Sequence, residues 1–145
     1  MNEATLLEKA FLLKKTALFS EVDLDLVLAI SDKAQILEFD SGETIFSKNQ
    51  DASLLYIILE GSVIVFDPDT TDQACVEAPD FFGDEALFTQ ERRTYSARCE
   101  TDVTCMAISH RSLSEIILEA PQVALSLLRL YSRKLGARRL IPHED

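Results

Sequence analysis

Near Gln35 the apolar residues of this chain stop recurring at helical spacing and begin to alternate, and near Ser112 the helical spacing returns. Side-chain period follows backbone geometry, about 3.6 residues in a helix and about 2 in a strand. Two switches of period predict a β body entered and left through helices, not a helix bundle or a run of βα units.

Before the first switch, Leu6, Leu7, Ala10, Phe11 and Leu13 repeat at helical intervals. A second helix is expected from Ser20, with Val22, Leu24, Leu26, Val27 and Ile30 apolar and Ser20 to Asp23 as its cap signal. Between the switches, residues 35–39, 44–46, 54–59, 63–66, 93–100 and 103–108 read as strands. Turn sequences such as Asp40-Ser41-Gly42-Glu43 and Glu60-Gly61-Ser62 part them. About seven short strands at this spacing predict a sandwich or jelly roll rather than an open parallel sheet. Residues 67–72 are acidic but lack the glycine and distal Glu of a calcium loop, so a solvated loop is expected. After the second switch a short helix is expected from Ser112, with Glu115 in capping-box position. Pro121 suits the first turn of a last helix reaching about Arg139. Val123, Ala124, Leu127, Leu128, Tyr131 and Leu135 would be its apolar stripe.

The chain has 145 residues, 47% of them apolar, enough for one domain with a real core and with no repeat or linker. Acids outnumber bases 25 to 14, for a formal net charge of -11. Nucleic-acid backbones and anionic lipid both need clustered Lys and Arg, so neither partner is expected. The basic residues that do cluster, Arg129, Arg133, Lys134, Arg138 and Arg139, sit where a helix C-terminus favours positive charge. No apolar run reaches the roughly 18–20 residues of a membrane span, and the N-terminus has charges among its leucines, unlike a secretion signal. Cys75, Cys99 and Cys105, an odd number without CxxC spacing, suggest neither a disulfide framework nor zinc. A reduced, cytoplasmic setting is the expectation.

Enzyme signatures are scarce. The histidines are His110, at a strand-to-helix junction, and His143 near the C-terminus. A metal-using jelly roll collects two or three inward histidines with a carboxylate, and a nucleophile pair would have to be built on His110 alone. No catalytic role, metal or cofactor is expected.

One segment does gather groups suited to an anion: Phe82-Gly83-Asp84-Glu85-Ala86-Leu87, followed by Arg93-Thr94-Tyr95. Gly83 lets the backbone come close to a ligand or take positive φ. The residues after it favour a short helix, whose first N–H groups point at whatever lies before them. Arg93 can bring a bidentate fork to the same place, and Thr94 adds a hydroxyl. In so acidic a chain an anion binds only where positive groups are focused.

The order of these elements resembles the cyclic nucleotide-binding domain family over about residues 11–138. Residues 39–46 look like its first glycine turn, 55–63 like its strand–Gly–strand, and 82–94 like its phosphate-binding cassette in a short form. The resemblance implies N-terminal helices, an eight-stranded jelly roll and C-terminal hinge and lid helices. It implies a sensor for cAMP or cGMP, with Gly83, Asp84, Glu85 and Ala86 and the pair Arg93-Thr94 as ligand-binding residues, and a relay by movement of the C-terminal helix through the hinge near Ile116 and Ile117. Family members usually regulate something attached, and residues 1–145 read as a single such domain without a separate output domain. The last helix can pair there with a second copy or a partner protein, or cap the base.

The cassette departs from the family pattern in three places. Asp84 stands where a Glu accepts from the ribose 2′-hydroxyl, and reaches one methylene less far. Glu85 replaces an apolar anchor, and is expected to turn outward, pair with Arg92 or accept from the ribose itself. Tyr95 stands where the family is small; two residues after Arg93 in a strand, it would share the arginine's face. The phenol would then stack on a base or fill its space. In the second case the chain would be a jelly roll that has lost its ligand and serves as an interaction module.

Overall fold

The computed structural model describes residues 5–16 and 18–139. Eight strands follow two helices and precede the last two: α1 Leu6–Lys14, α2 Leu24–Lys33, β1 Gln35–Phe39, β2 Thr44–Phe46, β3 Leu54–Glu60, β4 Ser62–Phe66, β5 Gln73–Glu77, β6 Phe81–Phe82, α3 Asp84–Thr89, β7 Ser96–Cys99, β8 Val103–Ser109, α4 His110–Glu119 and α5 Gln122–Arg139. The strands form two antiparallel four-stranded sheets, ordered β1-β8-β3-β6 and β2-β7-β4-β5, a jelly roll as expected.

Alternation in β3 and β8 sets the layering. Leu55 and Ile57 pair in register with Ile108 and Met106, and all four side chains join a core with the helices. Their neighbours Tyr56, Ile58, Cys105 and Ala107 face the other way, into the space between the sheets. A two-residue period buried on both faces makes this sheet the partition between a helical layer and the sandwich interior. Ala10 and Leu13 of α1, Val27 and Ile30 of α2, Leu113 and Ile116 of α4, and Val123 and Leu127 of α5 complete the helical side.

Several local expectations shift. The α2 cap is Asp23, not Ser20, because residues 18–22 turn before the helix starts. The α4 cap is Ser109, whose Oγ accepts the Ser112 N–H at 3.0 Å, so that helix begins two residues before Ser112. Glu115 instead pairs with Lys33 at 3.1 Å and Arg111 at 3.7 Å. Strands β5 and β6 are not among those the alternation predicts. β5 is a largely exposed edge without apolar alternation, and β6 has only two residues. On α5, Val123 and Leu127 are buried, but Leu128 is 61% exposed and leaves the expected stripe. The side chain of Leu135, and all of His143, lie outside what is described.

Two features fix the turns. Gly61 has φ +98°, and a Cβ there would lie 2.3 Å from the Asp102 carbonyl oxygen, so only a hydrogen fits. The acidic 67–72 loop is held by Lys48, whose Nζ reaches Asp67 and Asp69 at 2.9 Å each.

Candidate functional site

The segment before β7 is clamped by its backbone. Arg93 N–H donates to the Gln50 carbonyl and Arg93 C=O accepts from the Asn49 N–H, both at 2.8 Å. Residues 93–95 are therefore a loop paired with the β2–β3 connection, and β7 starts only at Ser96, which corrects the expected strand from Arg93. The clamp turns the Arg93 side chain inward, where it is 4% exposed.

Inside, the guanidinium meets neutral groups. Nη1 donates to the Gly83 carbonyl and Nη2 to the Leu54 carbonyl, each at 2.7 Å. Its plane lies over the Phe46 ring, 4.1 Å from the centroid, with Tyr56 at 6.0 Å. Phe46, Tyr56 and Phe82 form an aromatic floor with centroids 5.1–5.9 Å apart. A cation over such faces is attracted by their quadrupoles. Burial draws the Arg93 pKa below its ordinary value, opposed by Tyr56, Tyr95, Glu85 and Asp84. No carboxylate among the described residues reaches it within ion-pair distance, and its Nε is buried without an acceptor.

Gly83 takes φ +84°, and a Cβ would lie 2.9 Å from Arg93 Nη1 and 3.3 Å from the Tyr56 ring. The close approach expected there is to the protein's own arginine. The Gly83 N–H donates to the Tyr95 hydroxyl at 2.9 Å, and that hydroxyl donates to Glu85 Oε2 at 2.8 Å. Tyr95 thus lies in the pocket with Arg93, its ring 5.6 Å from Phe46, although no strand holds the two residues. Burial, then the charge of Glu85, pushes the Tyr95 pKa far up.

Asp84 is 6% exposed and accepts a hydrogen bond from the Tyr131 hydroxyl of α5. Burial, then that bond, raises the Tyr131 pKa. Glu85 is exposed and bonds to Tyr95, not Arg92, which instead lies 3.7 Å from Asp51. Thr94 is exposed. Ala86 falls in the first turn of α3, and its side chain is outside what is described. The structure brings together Gly83, Asp84, Glu85, Arg93 and Tyr95. It adds Phe46, Tyr56, Leu54 and Tyr131, which sequence reasoning did not connect to the site. An open cleft of about 580 Å³ nearby is lined by Ser53, Arg92 and His110, among others, and not by Arg93 or Tyr95.

Among the described residues no helix is long and apolar enough to cross a membrane, and no group of His, Cys, Asp and Glu could hold a metal ion.

Known proteins share this fold. The family described as "cyclic nucleotide-binding domain" matches residues 36–120. The CRP-like cAMP-activated global transcriptional regulator of Mycobacterium tuberculosis is 27% identical over 128 residues, 86% of this chain and 57% of that relative. The chain therefore spans a little over half the length of that curated protein. The N-terminal domain of a transcriptional regulator from Streptomyces coelicolor A3(2) superposes with a TM-score of 0.73 at 25% identity, over 92% of this chain and 99% of that one. The regulatory domain of Toxoplasma gondii PKA, crystallised with cAMP, gives a TM-score of 0.76 at 18% identity, over 88% of this chain and 50% of the other, a likeness of fold.

Proposed function

The chain belongs to the cyclic nucleotide-binding domain family, and from that premise we propose that it is a non-enzymatic regulatory module taking cAMP or cGMP at Arg93. One observation carries this reading: Arg93 is a buried cation with no carboxylate of the described residues within ion-pair distance and one donor left without an acceptor. Taking a guanidinium out of water costs several kcal/mol, which paired charge and full hydrogen bonding offset. A cyclic phosphate supplies both the missing charge and the missing acceptor, in charge-assisted bonds about twice as strong as neutral ones. The backbone amides of Gly83 to Ala86 and the Thr94 hydroxyl would add donors, with Asp84 or Glu85 on the ribose. The printed name of the Mycobacterium tuberculosis relative, a cAMP-activated regulator, supports the same ligand class.

In the observed arrangement the seat is self-occupied. A phosphate must displace the Gly83 carbonyl from Nη1 and the Tyr95 hydroxyl from the Gly83 N–H. Signalling is then a population shift between self-bonded and ligand-bonded cassettes, limited by the ligand's preference for one of them. The tyrosine also favours a second reading, an interaction module whose pocket stays closed, with exposed Leu125 and Leu128 of α5 available to a partner or second copy.

Titration calorimetry with cAMP and cGMP, up to millimolar ligand on the intact chain, separates the two. Heat with the natural sequence that disappears in Arg93→Ala supports the sensor. Heat only after Tyr95→Ala supports the closed module, and none in any variant removes the nucleotide site.

A further inference from the structure

We propose that the outer edge of β5 docks an extended segment of a partner protein, basic at alternate residues, which adds a fifth strand to the β2-β7-β4-β5 sheet. It stands apart from the reading of the Arg93 seat.

The hydrogen-bond phase of β4 fixes which backbone groups of β5 point outward. On one side β4 serves β7, where the Ser62 carbonyl accepts from the Glu100 N–H at 3.0 Å. On the other it serves β5, in a register whose bonded pairs include Gly61 with Ala78 at 3.3 Å and Asp67 with Asp72 at 3.0 Å. Bonded and non-bonded pairs alternate along an antiparallel ladder, so the bonded pairs between these are Val63–Val76 and Val65–Ala74. Ala74 and Val76 thus turn their backbone groups to β4, while Gln73, Cys75 and Glu77 turn theirs away from the sheet. The Glu77 carbonyl accepts from the Asp80 N–H at 2.8 Å, and the rest meet no described partner.

Edge strands are normally guarded by Lys, Pro, a bulge or brevity. At the far end of the same sheet β2 has three residues and a register shift. β5 has five, pairs with β4 without a shift and carries neither Lys nor Pro.

Side chains set what fits the edge. Val76 packs toward the sandwich interior, and exposed Ala74 shares its face. On the other face the Cys75 thiol lies 3.9 Å from Glu77 Oε1 and 4.0 Å from Glu100 Oε1. Ser62 Oγ donates to that Glu100 oxygen at 3.0 Å. No Lys or Arg among the described residues comes within ion-pair distance of either glutamate; Arg98 lies over the Phe66 ring instead. Directly opposed residues of adjacent strands present their side chains to one face. A Lys or Arg opposite Cys75 therefore meets both carboxylates, and apolar neighbours in its chain meet Ala74 and Val76. In such an added strand the main chain gives affinity and the alternate side chains give specificity. A second copy fits worse, because its β5 brings the same glutamates to the junction in a chain of net charge -11.

Residue-resolved amide exchange on the intact chain tests this. Gln73 and Cys75 are expected to exchange about a hundredfold faster than Ala74 and Val76. The probe is a short capped peptide alternating Lys and Val, expected at millimolar concentration to slow Gln73, Cys75 and Glu77 by about tenfold. The same peptide N-methylated at its Lys residues, or with Glu in place of Lys, is expected to leave them unchanged. Cys75→Pro removes only an outward N–H, so it is expected to fold and to ignore the probe; if it does not fold, the N-methylated peptide makes the same test. Glu77→Gln with Glu100→Gln is expected to weaken probe binding about fivefold. Equal exchange at Gln73, Cys75 and their neighbours overturns the proposal, as does no slowing by the Lys-Val peptide. So do equal slowing by either control peptide, undiminished binding to the double Gln variant, or protection of the same amides through dimerisation of the chain alone.

Discussion

Arg93 and Gly83, ten residues apart, close on each other through a 2.7 Å hydrogen bond from Nη1 to the glycine carbonyl. The residue pair expected to grip a phosphate grips itself. Arg93 is then part of the fold as well as of the site. Arg93→Ala leaves the Gly83 and Leu54 carbonyls unpaired and opens a void over Phe46, for an expected loss of about 2–4 kcal/mol in urea unfolding. A loss below about 0.5 kcal/mol would contradict an inward, bonded guanidinium.

Tyr95 is expected to set the affinity of the proposed seat. Tyr95→Phe keeps the ring against Phe46 while freeing the Gly83 N–H and Glu85. Nucleotide binding is expected to tighten roughly tenfold in calorimetry, the worth of one hydrogen bond no longer displaced. Weaker binding would instead make the hydroxyl a ligand contact.

Two glycines should differ sharply on substitution. At Gly61 an added Cβ meets a backbone oxygen 2.3 Å away, which can move only with the turn before β8. At Gly83 the nearest atom, 2.9 Å away, belongs to the far end of the Arg93 side chain. Both pay the left-handed backbone cost of about 1–2 kcal/mol. Denaturant midpoints are expected to fall further for Gly61→Ala, while Gly83→Ala should be the one that changes ligand binding.

Every tyrosine of the chain is protected from ionising. Burial is the largest cause at Tyr56, Tyr95 and Tyr131, and each pKa lies above the ordinary value. The proton is held more tightly in the folded state, so the associated stability is complete below about pH 10, the unfolded value, and is lost as pH rises beyond it. Absorbance of tyrosinate at 295 nm should stay flat through pH 10 in the native protein and appear together with unfolding. A normal titration near pH 10 would place at least one ring in water.

The thiols give a count. Cys99 and Cys105 are buried, with pKa values pushed up to about 11 and about 12. Cys75 is exposed on β5, its thiol pKa also raised, by desolvation first and then by the charges of Glu100 and Glu77. A disulfide reagent at pH 8 should label one thiol slowly in the native protein and all three after denaturation.

Much of the architecture was legible because burial writes itself into period. β3 and β8 are apolar at nearly every position, Gly61 parts β3 from β4, and the helices keep their own spacing. What escaped had no periodic signature. β5 lies at an edge where its side chains meet water, so nothing selects alternation. Within the site, Gly83 and Arg93 could be found from local chemistry, since a glycine before a short helix and a nearby fork are sequence features. Tyr131 and Asp84, 47 residues apart, meet only through the packing of α5. Phe46 and Tyr56 look like core residues and are core; that they also support a guanidinium depends on an arginine arriving from another loop.

Leu55 and Tyr56 stand back to back in β3, one packed among the helices and the other beneath Arg93. A single peptide unit separates the two compartments, and stiff extended backbone has little slack to absorb a push. Repacking on the helical side is therefore expected to register at the aromatic floor, even where no side chain passes through the wall.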